Sequence, residues 1–344
     1  MPSNPNSGSD RAGTGSPAGQ AGRPEACGGR EPATGALRIA VTGSTGLIGT
    51  ALVEDLRARG HRVVRLVRQA PAGEDEIAWD PLAPAGGLGP GALDGVDAVV
   101  HLAGANVAGR RWTAAYKEEI RASRVRGTRA LVSALTAASN PPSVLLSGSA
   151  IGWYGDTGGR EVDESSPAGS GYLPGLVAHW EAAARQAAEA GVRVVTMRAG
   201  VVMSRRGGML ARLLLPFRLG LGARLGSGTQ VMSWITLADY AAIVSFLLSH
   251  AEISGPVNLT TPHPVTNAEF TSALAAALHR PGLLFVPEPA LRLALGGVSS
   301  DILSSARVMP RRLQAAGYRF RFPDLREALG AELAAVQGER AGIS

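Results

Sequence analysis

One cysteine, Cys27, and one lysine, Lys117, stand in a chain of 344 residues, and aromatic side chains make up only 5% of it. The lone cysteine excludes an internal disulfide and gives no cluster of metal ligands, and it fits a reducing, cytoplasmic setting. Net charge is +6, yet the arginines are spread along the chain and do not alternate with aromatic residues, which argues against nucleic-acid binding. Long apolar runs are missing too, because Arg212, Arg218 and Arg292 break the Leu-rich stretches before they reach membrane-spanning length. The N-terminus lacks the charged and then apolar layout of a signal peptide. These absences leave a protein expected to act on a small molecule, without nucleic acid, membrane or metal, and compatible with either a homo-oligomer or a protein partner.

The apolar fraction of 45% is enough for a real core, and the length suits one large α/β domain with a smaller one appended. Residues 1–36 are mostly Gly, Pro, Ser and Ala with scattered charge. Such a segment has too few large apolar groups to repay the entropy of ordering, so a disordered leader is expected.

Order begins with Ile39, Ala40 and Val41, which read as a buried strand. The chain then passes through Gly43, Gly46 and Gly49 into an amphipathic helix carrying Leu52, Val53 and Leu56. Gly43 suits a tight reversal, Gly46 removes a side chain where a diphosphate would approach, and Gly49 lets the helix lie close to the sheet. Free N–H groups at the helix start then face an anion. A plain strand-to-helix turn would look the same, but a second strand, His61 to Val67, follows and ends in Arg68, about 20 residues past the glycines. An acidic residue there would accept from the ribose of NAD. Arg68 offers a guanidinium for the 2′-phosphate of NADP, so NADP is expected over NAD, with a merely solvated arginine as the plainer alternative.

Further strands are expected at Asp97 to Gly104, Ser143 to Ser147, Val192 to Arg198 and Pro256 to Leu259; the segment 106–137 opens with Gly109 to Thr113 and runs into a long helix through Tyr116, Ile120, Leu131 and Leu135, and another helix is expected at about 173–190. The alternation predicts a Rossmann-type doubly wound parallel sheet over residues 37–260, with the cofactor across its C-terminal strand ends. A glycine- and Leu-rich stretch at about 203–235 suits a lid or substrate insertion. Another helix is expected from Trp234 through Leu248, and Thr266 and Glu269 have capping-box spacing. Residues 261–335 are assigned to a smaller, substrate-side C-terminal domain, and residues 336–344 to a tail. The residues expected to hold the dinucleotide are Gly43, Thr45, Gly46, Leu47, Ile48, Gly49 and Arg68, with Leu102, Ala103 and Gly104 at the end of the third strand. His101 at that strand end is read as structural.

With these residues in view, the chain resembles the extended and atypical short-chain dehydrogenase/reductases, through Thr42 to Gly49, His101 to Gly104, Ser149 before Tyr154 and Gly155, and Trp234 to Asp239. More closely it resembles the branch called epimerase family proteins, which are nucleotide-sugar-epimerase-like and carry a C-terminal domain of unknown function. Gly104 to Thr113, Gly220 to Gly228 with Gln230, and Ala277 to Pro281 carry that closer likeness. The resemblance implies a Tyr-x-x-x-Lys pair for proton transfer and a Ser to position the substrate oxygen. If Glu181 takes its usual place on the helix, the Tyr position is Leu173 and the Lys position Val177. The only lysine lies on another helix. Arg124 likewise replaces an Asn common in the superfamily. Ser149 and Tyr154 are then the candidate catalytic residues, with Tyr172 or His179 as outside candidates, and Arg205, Arg206, Arg218 and Arg224 could hold a phosphate or carboxylate. The expected function is an NADP-dependent oxidoreductase or epimerase-like protein. The alternative is an NADP-binding regulatory protein with little or no catalysis.

Overall fold

In a computed structural model the described residues are 35–83, 87–89, 91–107, 109–295 and 303–341. Nearly all of the expected leader, with Cys27, lies outside them. Seven strands form the main sheet: β1 (Arg38–Thr42), β2 (Arg62–Val67), β3 (Glu76–Ala78), β4 (Ala98–His101), β5 (Val144–Ala150), β7 (Arg193–Ala199) and β12 (Gly255–Leu259). Their order is β12-β7-β5-β4-β1-β2-β3, and every neighbouring pair is parallel. From β1 the chain winds outward one way through β2 and β3, then returns to β4 and winds the other way. The crevice where a ligand binds in such a sheet therefore opens at the C-terminal ends of β1 and β4.

Successive strand residues point to opposite faces, so the sheet has two cores. Ile39 and Val41 pack with Val100, Leu146 and Met197 against α1 (Leu47–Ala58) and α6 (Leu237–Ser249). Ala40, Val99, Leu145 and Val194 face the other way, with Leu131 and Leu135 from α3 (Gly127–Thr136) and Ala184 from α4 (Tyr172–Arg185). The helix expected to follow Gly109 to Thr113 opens at Ala114, where the Thr113 hydroxyl caps α2 (Ala114–Arg121), and one π turn over Ala122–Arg126 joins it to α3. β3 sits in a Gly- and Pro-rich stretch that reads as loop.

The remaining strands are short pairs. β6 (Glu161–Val162) pairs with β15 (Arg307–Val308), β8 (Val201–Met203) with β11 (Trp234–Thr236), β9 (Ala223–Leu225) with β14 (Leu284–Val286), and β10 (Val231–Met232) with β13 (Val265–Thr266). The helix expected from Trp234 begins three residues later, because Trp234–Thr236 is a strand and Thr236 caps α6. A third core joins Leu210, Leu214 and Phe217 of α5 (Gly208–Arg218) to Phe270 and Leu274 of α7 (Asn267–Ala277) and to Leu325 and Leu329 of the C-terminal helix. Trp234 is wholly buried there, so it fills a core and does not stack on a ligand.

The capping-box signal is met in full by Thr266 and Glu269 on α7. Asp239 ties down the C-terminal segment by accepting from Arg321 N at 2.8 Å, Phe322 N at 3.1 Å and the Tyr318 hydroxyl at 3.2 Å. The expected tail from 336 is helical through Ala341, and residues 342–344 lie outside the described residues. Among the described residues no helix is long and apolar enough to cross a membrane.

Candidate dinucleotide site

The crevice at the end of β1 is shaped by backbone passing close to backbone. Gly43 has a φ of +66°, and a Cβ there would lie 2.8 Å from the Leu102 carbonyl carbon, so no other residue suits the crossing. Gly49 is tighter still, since its Cβ would sit 2.1 Å from the Gly43 carbonyl oxygen. Gly46 caps α1 without any side-chain hydrogen bond, and no acidic residue follows in the first turn. The positive end of the helix is thus left open to an anion. Thr45 and Gly46 are exposed, and Leu47 and Ile48 are half-buried. Ser44 next to them is buried, and its Oγ has no hydrogen-bond partner. A buried hydroxyl without a partner beside an uncapped helix start fits a phosphate oxygen, and the residues present fit a dinucleotide diphosphate.

Beneath the loop, Thr42 Oγ1 accepts from Leu102 N at 3.0 Å and Ala103 N at 3.1 Å, and lies 2.7 Å from His101 Nδ1. With both backbone donors on Thr42, its own proton goes to Nδ1, and Nε2–H then faces Thr128 Oγ1 at 2.9 Å. Burial, with Arg124 nearby, lowers His101 from 6.5 to about 4, so the ring is neutral and structural. Its work is to hold Leu102 and Ala103 against β1.

Arg68 is exposed directly after β2, and among the described residues it has no hydrogen-bond or ion-pair partner. Arg65, on the same strand, is paired with Glu76. Of the two, only Arg68 is at liberty to meet a ligand anion.

Beyond the end of β5 the candidate proton-transfer side chains are bonded to one another. Ser149 is buried, and its hydroxyl donates to Glu181 Oε1 at 2.6 Å. Arg198 donates to the same carboxylate through Nε at 2.8 Å and Nη2 at 3.0 Å, and through Nη1 to the Tyr154 hydroxyl at 3.0 Å. Tyr154 in turn donates to Asn258 Oδ1 at 2.7 Å, and burial pushes its phenol up to about 12 despite the guanidinium. Ser149 and Tyr154 are thereby joined in one buried polar network between β5, α4, β7 and β12. Leu173 is half-buried against Gly152, and Val177 is buried. Exposed His179 is bonded to the Gly175 carbonyl of its own helix.

Two arrangements here were not legible in the sequence. Arg124, which reads as a lost polar group, is a half-buried cation that donates to the Ala105 carbonyl at 3.0 Å, lies over Trp180, and would meet a Cβ on Gly104 at 3.2 Å. Burial lowers it to about 10. The single lysine also returns: Lys117 Nζ lies 4.9 Å from the Tyr172 ring centroid, and the Tyr172 hydroxyl donates to the Lys117 carbonyl at 2.7 Å. Of the candidate anion-binding arginines, Arg206 pairs with Glu54 on α1, whereas Arg224 stands over Phe285, so the four do not converge on one pocket. A cavity of about 1030 Å³ lined by Asp156, Gln230, Thr266, Arg292 and Arg307 takes no residue from the glycine loop.

A parallel sheet with its switch point at a glycine loop, and a helix start open to phosphate, define a dinucleotide-binding α/β protein. The chain belongs to the NAD dependent epimerase/dehydratase family, whose model matches residues 39–259. Residues 286–332 match a domain of unknown function, DUF1731. An epimerase family protein of Mycobacterium bovis is 47% identical over 293 residues, 85% of this chain and 96% of the relative. The crystal structure of the human epimerase family protein SDR39U1 with NADPH is 38% identical with a TM-score of 0.78, over 86% of this chain and 98% of that one. A nucleoside-diphosphate sugar epimerase from Corynebacterium glutamicum is 36% identical with a TM-score of 0.72, over 87% of this chain and 58% of that one.

Proposed function

We propose that the chain binds NADPH in preference to NADH, and that holding the dinucleotide, not turning over a carbinol, is its principal activity. The Ser149–Glu181–Arg198–Tyr154–Asn258 network carries this reading, since it commits the candidate proton-transfer groups to one another. The open start of α1 and the Ser44 hydroxyl would receive the diphosphate, Arg68 the 2′-phosphate, and Leu102 to Gly104 would lie along the cofactor. Bound there, the nicotinamide would supply a hydride. The human relative solved with NADPH supports the phosphorylated cofactor.

A second reading, an oxidoreductase acting on an unidentified small substrate, is favoured by Lys117 lying over Tyr172, which assembles a Tyr and a Lys from two helices. Calorimetric titration with NADPH and NADH, beside an Arg68→Ala variant, tests the first reading. NADPH binds the tighter, and the variant loses that preference by about tenfold, the weight of a charge-assisted contact. Equal affinity for the two dinucleotides would sink it. Stopped-flow mixing of NADPH with a panel of carbonyl compounds gives no hydride transfer on this reading, whereas turnover abolished by Tyr172→Phe would establish the second.

A further inference from the structure

The segment after β8 crosses the first turn of α1. A Cβ on Gly207 would lie 3.2 Å from Leu47 Cδ1 and 3.3 Å from Cδ2, and Leu47 is the first residue of that helix. The backbone of the crossing is pinned on both sides, because Arg205 N donates to Glu332 Oε2 at 2.9 Å and Arg206 N to Ser204 Oγ at 3.1 Å. The Arg206 side chain is not pinned. Its Nη1 lies 3.4 Å from Glu54 Oε2, two turns along α1, and both side chains are more than half exposed, at 57% and 61%. An ion pair so exposed holds with less than about 1 kcal/mol.

A weakly held guanidinium thus stands on a backbone tied at both ends, beside an uncapped helix start where the buried Ser44 Oγ has no partner. Two turns of helix span about 10 Å, so a side chain mounted at Leu47 that leans down α1 to Glu54 has comparable reach up toward Gly46. We infer that Arg206 closes over the dinucleotide diphosphate, exchanging the Glu54 carboxylate for a phosphate oxygen. The inference rests on the dinucleotide reading above. It assigns Arg206 to the half of the ligand that NADPH and NADH share, and Glu54 to a competing anchor for the arginine.

The test is calorimetric titration of the full chain, Arg206→Ala, Glu54→Gln and the double variant with both dinucleotides. Arg206→Ala weakens NADPH and NADH by the same factor, about fivefold, a charge-assisted contact discounted for exposure. Glu54→Gln tightens both about twofold, and that gain disappears when Arg206 is also removed. Wild-type affinity for both dinucleotides in Arg206→Ala, or a loss confined to NADPH, overturns the inference. A Glu54→Gln gain that survives without Arg206 also overturns it, since it would reflect only the removal of a negative charge near an anion. A wild-type chain that binds neither dinucleotide overturns the cofactor reading as well, which separates the two failures.

Discussion

Acidification perturbs one group whose consequences reach from the core to the ligand. His101 sits buried and neutral between Thr42 and Thr128, lowered from 6.5 to about 4. The folded state therefore binds fewer protons than the unfolded chain, and its stability is whole above about pH 6.5 and falls as the pH drops toward about 4. The full loss is about 3 kcal/mol, of which about 2 has gone by about pH 5. Denaturant unfolding of the wild type and of His101→Gln at several values between about pH 7 and pH 4.5 isolates this contribution, because the carboxylates titrate in both proteins. Asp163 and Glu269, held low by hydrogen bonds, lose their share only at the acid end, and Glu164, raised by burial, works in the opposite sense. The variant starts less stable but declines less steeply. A protonated His101 would also bring a hydrogen on Nδ1 against the Thr42 hydroxyl, which already receives Leu102 N and Ala103 N. Dinucleotide affinity should therefore fall over the same interval. Equal pH slopes in the two proteins would refute the placement of a neutral imidazole under the loop.

Two other substitutions probe the same framework. Gly49→Ala would place its methyl carbon 2.1 Å from the Gly43 carbonyl oxygen, so the loop must move. The expected outcome is lost dinucleotide binding with destabilisation of about 1–3 kcal/mol, and unaltered calorimetric binding would contradict so close a contact. Asp239→Ala strands the Arg321 and Phe322 N–H groups and takes the carboxylate acceptor from the Thr236 and Tyr318 hydroxyls. It should cost about 3 kcal/mol and make residues 318–334 the first site of limited proteolysis, and an unmoved Tm would show the anchor to be redundant.

The glycine loop was legible in the sequence because sterics alone dictate it: Gly43 and Gly49 face backbone atoms that tolerate no side chain. Strand patterns and the α7 capping box are local in the same way. The site at the far end of the crevice was not legible, because its meaning depends on partners distant in the chain. Ser149 meets Glu181 at a separation of 32 residues and Tyr154 meets Asn258 at 104. A hydroxyl at a strand end looks the same in sequence whether it turns toward a ligand or toward a buried carboxylate. Lys117 and Tyr172, 55 residues apart, meet because α2 and the start of α4 pack together with Ala105, Val107 and Trp112. β3 escaped for a different reason: three residues among glycines and prolines carry too little pattern to outweigh the turn signals around them.

The network also bears on the choice between binding and turnover. From Ser149 at the end of β5 it runs through Glu181, Arg198 and Tyr154 to Asn258, whose side chain donates to the Met309 carbonyl at 2.9 Å in the C-terminal segment. Glu181 and Arg198 are both buried, and a buried ion pair is tolerated only while its members stay fully satisfied. Releasing Tyr154 to serve a substrate would leave the Asn258 carbonyl and an Arg198 N–H without partners, at about 1–3 kcal/mol each. The phenol would still begin from about 12, far from a base effective at neutral pH. In this chain those polar residues join the parallel sheet to its C-terminal segment, and on the proposed reading that use of them competes with proton transfer.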